Sequence, residues 1–295
     1  MIFINPKTDY AFKKIFGSSE SKEILISFLN AMIYEGNSII QDLEIINPNL
    51  PPQTVGLKDT YLDVKAKLKD GSLVIIEMQV LNVQSFGKRV LYNAAKAYAL
   101  QLESRASYRM LKPVIALTIT DFEMFPDLDR LISRFVYKEE TTNLKYPDNN
   151  INLVFIELPK FNKEIEQLET LTDQWIYFLK YARSLETVPE AMDRIPEIHR
   201  AFEIANQANL TREELDDVER REMFIYDQQG VMLLGLEQGL EQGLEQGLEQ
   251  GLEQGRQQEK LEIARALLSQ LDDEAIARST GLSTEEIREL RLDRE

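Results

Sequence analysis

Two carboxylates, Asp63 and Glu77, sit in two short runs of alternating apolar and polar residues, YLDVKAKL at 61–68 and SLVIIEMQV at 72–80, joined by Lys69-Asp70-Gly71. An Asp-Gly pair between alternating runs predicts a hairpin. Successive strand side chains point to opposite faces. Matching the apolar set Leu62, Val64, Ala66 and Leu68 to Val74, Ile76, Met78 and Val80 therefore places residue 64 opposite residue 76, and Asp63 opposite Glu77. Directly opposed Cβ atoms lie roughly 5 Å apart, and like charges so placed destabilise a sheet unless something compensates them. A divalent cation would do so, and the pair would then hold a hard metal able to activate water. Gln79 shares the face of Glu77 with Leu73 and Ile75, so this side is covered by other protein. Neither strand carries an arginine; Lys65 and Lys67, on the face of Asp63, offer the plainer alternative of a charge-paired surface hairpin.

The composition narrows the chemistry. The 295 residues include no cysteine and one histidine, His199, which excludes thiolate zinc, iron–sulfur clusters, a cysteine nucleophile and histidine-rich metal sites. Any metal must be held by carboxylates and carbonyls, which favours magnesium or manganese. The start, MIFINPKTDYAFKKIF, interrupts its apolar residues with Asp9 and three lysines, so it reads neither as a signal peptide nor as a membrane span. With no cysteine, a reducing, cytoplasmic setting is expected. A net charge of −16 opposes indiscriminate binding to nucleic acid, so a nucleic-acid role requires a local basic patch.

The elements that must position the hairpin follow in order. Thr8 and Asp9 start a helical pattern through AFKKIFG and EILISFLNAMI. DLEIINP at 42–48 reads as a strand, followed by a proline-rich loop and the hairpin. FGKRVLYNAAKAYALQLES reads as a helix, PVIALTIT at 113–120 as a buried strand, and INLVFIELP at 151–159 as another. Residues 161–230 are mainly helical. A strand apolar throughout is buried on both faces, so this order implies an α/β mixed sheet flanked by helices.

TDYAFKKIFG at 8–17, LDVKAKLKDGSLVIIEMQ at 62–79, GKRVLYNAAKAYALQL at 87–102 and KPVIALTITDFEMF at 112–125 resemble the recombination-promoting nuclease and transposase family of the PD-(D/E)xK superfamily. The similarity covers roughly residues 3 to 180 and continues into the tail. It implies a restriction-endonuclease-like core over 1–160, completed by the helical segment 161–230. It also implies a magnesium- or manganese-dependent DNA endonuclease of little sequence specificity, linked to recombination or mobile elements. In that superfamily an acid on the first hairpin strand and a Glu-x-Lys on the second hold the metal. The resemblance maps these acids onto Asp63 and Glu77, with the carbonyl of Met78 as a further ligand. Gln79 stands where the superfamily has lysine; a neutral amide positions water but does not stabilise hydroxide as a cation does. Restoring lysine there is expected to keep or raise activity. The different-class alternative is a catalytically weak or inactive nuclease fold serving as a DNA- or protein-interaction module.

The required basic patch lies between Phe86 and Lys112, where Lys88, Arg89, Lys96, Arg105, Arg109 and Lys112 face one acid, Glu103. On a helix Arg89, Tyr92 and Lys96 form one exposed stripe for phosphates and a stacked base, with Leu91, Ala94, Ala95 and Tyr98 inward. Asp9 is a further candidate, although an acid in a first helical turn also serves the helix dipole. Trp175 and His199 receive no role. From Leu236 to Gly255 run five copies of Leu-Glu-Gln-Gly, within a segment 231–260 that is either helical or flexible. A leucine every four residues drifts about 40° per step around a straight helix, and five interior glycines cost it on the order of 5 kcal/mol. Residues 261–295 resemble a small helix-turn-helix hairpin with a Ser283/Glu286 capping box. Its acidic second helix suits protein contacts, including self-association, better than DNA.

Overall fold

A computed structural model describes residues 2–50, 60–102, 105–148 and 150–292; the proline-rich segment at 51–59 and Glu103 lie outside them. The chain divides into two compact units, Met1–Gln228 and Gln229–Glu295.

The first unit begins with helices α1 (Asp9–Phe16) and α2 (Lys22–Tyr34). The Thr8 hydroxyl caps α1 by accepting from the Ala11 amide at 3.3 Å. The strands are β1 (Leu43–Ile46), β2 (Asn49–Leu50), β3 (Thr60–Tyr61), β4 (Val64–Leu68), β5 (Leu73–Gln79), β6 (Val114–Thr120), β7 (Ile132–Phe135) and β8 (Ile151–Glu157). Six form one sheet in the order β1-β4-β5-β6-β8-β7, while β2 and β3 pair separately. Pairing is antiparallel from β1 to β5, parallel from β5 through β6 to β8, and antiparallel again at β7. Every residue of β6 is buried, as its unbroken apolar run requires of a central strand.

The hairpin register is the one its apolar pattern dictates: Val64 opposes Ile76 and Ala66 opposes Val74. Its turn depends on Gly71, whose φ of +89° is left-handed space that a Cβ disfavours. The Asp70 carboxylate accepts from the Ser72 amide at 2.9 Å and holds the corner. Val64, Ala66, Val74, Ile76 and Met78 face the main core with Phe12, Phe16, Phe28 and Trp175, which are supplied by α1, α2 and α4 (Leu171–Tyr181). The opposite face carries Leu73, Ile75, Val114 and Ala116 under Ala94 and Ala97 of helix α3 (Phe86–Ala99). Leu62 belongs to this second cluster and not with Val64. The chain bends at Asp63, and β4 starts at Val64, three residues later than a strand from Tyr61 would. Helices α5 (Glu190–Asp193) and α6 (Pro196–Ala205) complete the unit, with Ile198, Ala201 and Phe202 in the main core. Trp175 is fully buried and donates from its indole nitrogen to Ser27 at 3.1 Å; His199 pairs with Asp193 on the surface.

Helix α7 (Arg212–Leu267) contains the whole Leu-Glu-Gln-Gly repeat, so this segment is helical. All five repeat leucines are exposed, and no atom lies within 4 Å of where a Cβ would stand on the repeat glycines. The second unit closes with α8 (Asp273–Thr280) and α9 (Thr284–Leu292) around Ala264, Leu268, Ile276, Leu282, Ile287 and Leu290. The Ser283/Glu286 box forms: the Glu286 carboxylate accepts from the Ser283 amide at 2.8 Å, and the Ser283 hydroxyl accepts from the Glu286 amide at 3.2 Å.

Candidate active site

Asp63 stands at the bend just before β4, where its amide donates to the Ile76 carbonyl at 3.2 Å, and Glu77 stands near the carboxyl end of β5, close enough for its charge to act on Asp63. Both side chains are largely covered, at 11% and 14% exposure. The Asp63 carboxylate accepts from the Met78 amide at 2.8 Å. A residue's N–H and C=O leave a strand on the same side, so the Met78 carbonyl also faces Asp63. The next carbonyl, that of Gln79, turns the other way and accepts from Asp121 at 3.0 Å.

Burial pushes the Asp63 carboxyl up to about 6, and the Glu77 charge adds to the rise; the Met78 amide and Lys13 pull against it. The compensating cations come from outside the hairpin. Lys13 of α1 places its Nζ 3.4 Å from Asp63, and Arg89 of α3 places one guanidinium nitrogen 2.7 Å from Glu77. Lys65 and Lys67 are not these partners; burial depresses the Lys65 ammonium. They were legible as neighbours on the strand, but the charges that meet the acids arrive from the two helices packed over the sheet. The Arg89 guanidinium also donates to the Gln79 side-chain oxygen at 2.5 Å, and the Gln79 amide nitrogen donates to the Leu81 carbonyl at 2.7 Å. A cation therefore does stand beside position 79, contributed by α3 instead of by the strand.

The α3 stripe needs correction. Arg89 and Tyr92 are exposed, but Lys96 is buried and spends its ammonium on the Leu50 carbonyl at 2.6 Å and the Thr60 hydroxyl at 3.4 Å. Leu91 and Ala95, expected inward, point outward, while Val90, Asn93, Ala94 and Ala97 are buried. The helix is rotated so that Asn93 faces Glu77 at 3.4 Å and Lys96 reaches β2 and β3. Asp9 pairs with Arg221 of α7 and lines a cavity of about 410 Å³ shared with Lys7, Met78 and Gln79. It is thus beside the site, and among the described residues no three acids or histidines gather into one cluster. Lys13, Arg221 and Asn93 were not read as site residues; the Asp9-to-Lys13 spacing on one face of α1 was the available signal.

Asp63, Glu77 and the Met78 carbonyl make an all-oxygen donor set suited to a hard divalent cation. Beside them the Asn93 side-chain nitrogen donates to Glu77 at 3.4 Å, and the Asn93 side-chain oxygen is buried with no hydrogen-bond partner among the described residues. The residues present therefore fit magnesium or manganese. No described helix is long and apolar enough to cross a membrane.

No curated protein and no solved structure is found to match the chain. The family model described as PD-(D/E)XK nuclease family transposase matches residues 6–233, which takes in the whole sheet, α1, α3 and both acids. A nuclease-like mixed sheet with paired carboxylates at its hairpin, matched over most of its length, identifies this chain as a member of the PD-(D/E)XK nuclease family transposases.

Proposed function

We propose that the protein is a metal-dependent DNA endonuclease, an endodeoxyribonuclease that uses Mg²⁺ or Mn²⁺ and cuts with little sequence preference in recombination or mobile-element biology. The observation that carries this reading is the covered pair Asp63 and Glu77 at the hairpin, with the Met78 amide on Asp63 and one cation at each acid. Asp63, Glu77 and the Met78 carbonyl hold the metal. When bound, the cation lowers the pKa of a water molecule and offsets charge on the scissile phosphate. Gln79, fixed by Leu81 and Arg89, orients the attacking water, and Arg89 takes the place of the superfamily's strand lysine as the cation nearest the developing charge. Arg89 and Tyr92 contact the DNA backbone, with Lys13 on the other side of the acids. The low sequence preference follows from relying on phosphate contacts, which carry no base information. Supercoiled plasmid incubated with protein and magnesium is expected to be nicked, and the Asp63→Ala protein to leave it intact.

One observation favours a second reading. Arg89 already neutralises Glu77 and occupies Gln79, the arrangement expected of a nuclease fold that binds DNA or protein with weak or lost catalysis. Absence of nicking with retained DNA binding would select it. The repeat and terminal hairpin are assigned to self-association and not to the chemistry.

A further inference from the structure

The second half of the basic run does not lie at the acids. Arg109 sits just before β6, at the amino ends of the parallel strands, whereas Glu77 and Gln79 pair with Thr118 and Thr120 at their carboxyl ends. A seven-residue strand, roughly 20 Å, separates the two places. At the amino ends lies a cleft of about 1140 Å³, formed by the end of α3, the segment before β6, the start of β8 and the hairpin 137–146. Its walls carry four tyrosines, Tyr98, Tyr108, Tyr137 and Tyr146, among three cations, Arg109, Lys138 and Lys145, and two acids, Glu139 and Asp148.

Three features make this cleft costly to leave empty. Tyr108 and Tyr146 are 82% and 58% exposed, large aromatic surfaces turned to water. Lys138 and Lys145 pair across the hairpin, so like charges oppose each other directly, and no ion pair among the described residues joins an acid to either of them or to Arg109. The nearby Glu139 is consumed by the turn: its carboxylate accepts from the Thr141 and Thr142 amides and the Thr142 hydroxyl. The hairpin is thus fixed in shape with Glu139 held ionised, and the three cations against two acids leave the lining a net positive charge.

We propose that this cleft binds an unpaired stretch of DNA strand, its bases stacked on Tyr108, Tyr137 and Tyr146 and its phosphates met by Arg109, Lys138 and Lys145. Tyrosine faces interleaved with cations that no ion pair holds are the means by which single strands are held without sequence readout. A paired duplex offers its bases to the grooves and not to stacking. The volume exceeds the ~300–1,000 Å³ of a small-molecule pocket, which favours a polymer segment. The cleft rests on the nuclease reading only for the choice of DNA as the polymer, and it supplies a hold on melted or displaced strand about one sheet-length from the acids.

The test uses the full chain with metal chelated, so that cleavage does not enter. Anisotropy of a labelled oligothymidylate reports binding, and Tyr108→Ala and Tyr146→Ala, both on exposed side chains, are each expected to weaken it by about tenfold. Lys138→Ser with Lys145→Ser should lower the slope of log affinity against log salt by about 1.4, at about 0.7 per phosphate contact. Plasmid nicking by the tyrosine variants, measured separately with magnesium, should stay at the parental rate. Unchanged oligothymidylate affinity in both tyrosine variants, an unchanged salt slope, or no binding by the parental chain overturns the proposal. Failure to nick with binding intact counts against the nuclease reading alone, and a proline-rich peptide that binds where the oligonucleotide does not would assign the cleft to a protein partner instead.

Discussion

Asp63 combines burial with a neighbouring like charge, and both lift its carboxyl. Its folded-state value, about 6, lies above the ordinary 3.8, so without metal its contribution to stability is full below the ordinary value and is lost as pH rises through about 6. The difference of about two units corresponds to on the order of 2–3 kcal/mol. Asp63→Asn should therefore be more stable than the parent at about pH 7 with metal chelated, and the gap should close towards about pH 4; chemical denaturation at the two values checks it. An unchanged gap would show that the carboxylate is better solvated than its surroundings indicate. At position 79 the structure changes the expectation. Lysine would stand against the Arg89 guanidinium, so Gln79→Lys alone should lower nicking, whereas in an Arg89→Ala background it should recover part of what that change removes. A double-mutant cycle on the nicking rate measures the sign of the coupling. The hairpin register could be read from the alternation of Val64 through Leu68 against Val74 through Met78. The counter-ions of Asp63 and Glu77 could not, because Lys13 and Arg89 lie 50 and 12 residues away in sequence and meet them only through helix packing.

At the scale of elements, α3 links the site to the rest of the fold through a lysine that looked like a DNA contact. Helical periodicity found α3, but its rotation was misjudged, because Lys96 is paired inward and Leu91 is turned out, against the usual sense of both residue types. The buried ammonium ties α3 to β2 and β3, and hydrogen bonds from a charged group contribute about 1.5–3 kcal/mol. Lys96→Ala should accordingly lower the melting temperature by several degrees while leaving the salt dependence of DNA binding unchanged. A smaller salt slope with an unchanged melting temperature would return Lys96 to the DNA surface. The edge strand β7 went unread because ISRF is short, with an arginine in its middle and only Ser133 buried, so it lacks the apolar alternation that marked β5 and β6.

For the whole molecule, the boundary at Gln228 separates the sheet from a tail whose fifteen acids and seven basic residues give a net of −8. The winding of the leucine row was plain from its four-residue period, but propensity alone left the repeat between helix and coil; its helical state reflects continuity with the residues before it in α7. The partners shown for Asp63 and Glu77, which are Lys13, Met78, Arg89 and Asn93, all precede Gln228, so a chain ending there should nick plasmid at least as fast as the parent. Removing the acidic tail weakens repulsion of the phosphate backbone, so any gain should shrink as salt rises. Light scattering should show the shortened chain less associated than the parent, and loss of cutting by a folded truncated chain would make the tail part of the active assembly.

If Asp63 and Glu77 form the catalytic metal site, both acids are needed for magnesium-dependent nicking of supercoiled plasmid, which the parental chain, Asp63→Ala and Glu77→Ala test side by side, each verified as folded by circular dichroism. On this assignment the parent should nick plasmid, chelation should abolish nicking, and each variant should lose at least about a hundredfold, since each removes a metal ligand. Parental-level nicking by either folded variant would contradict it.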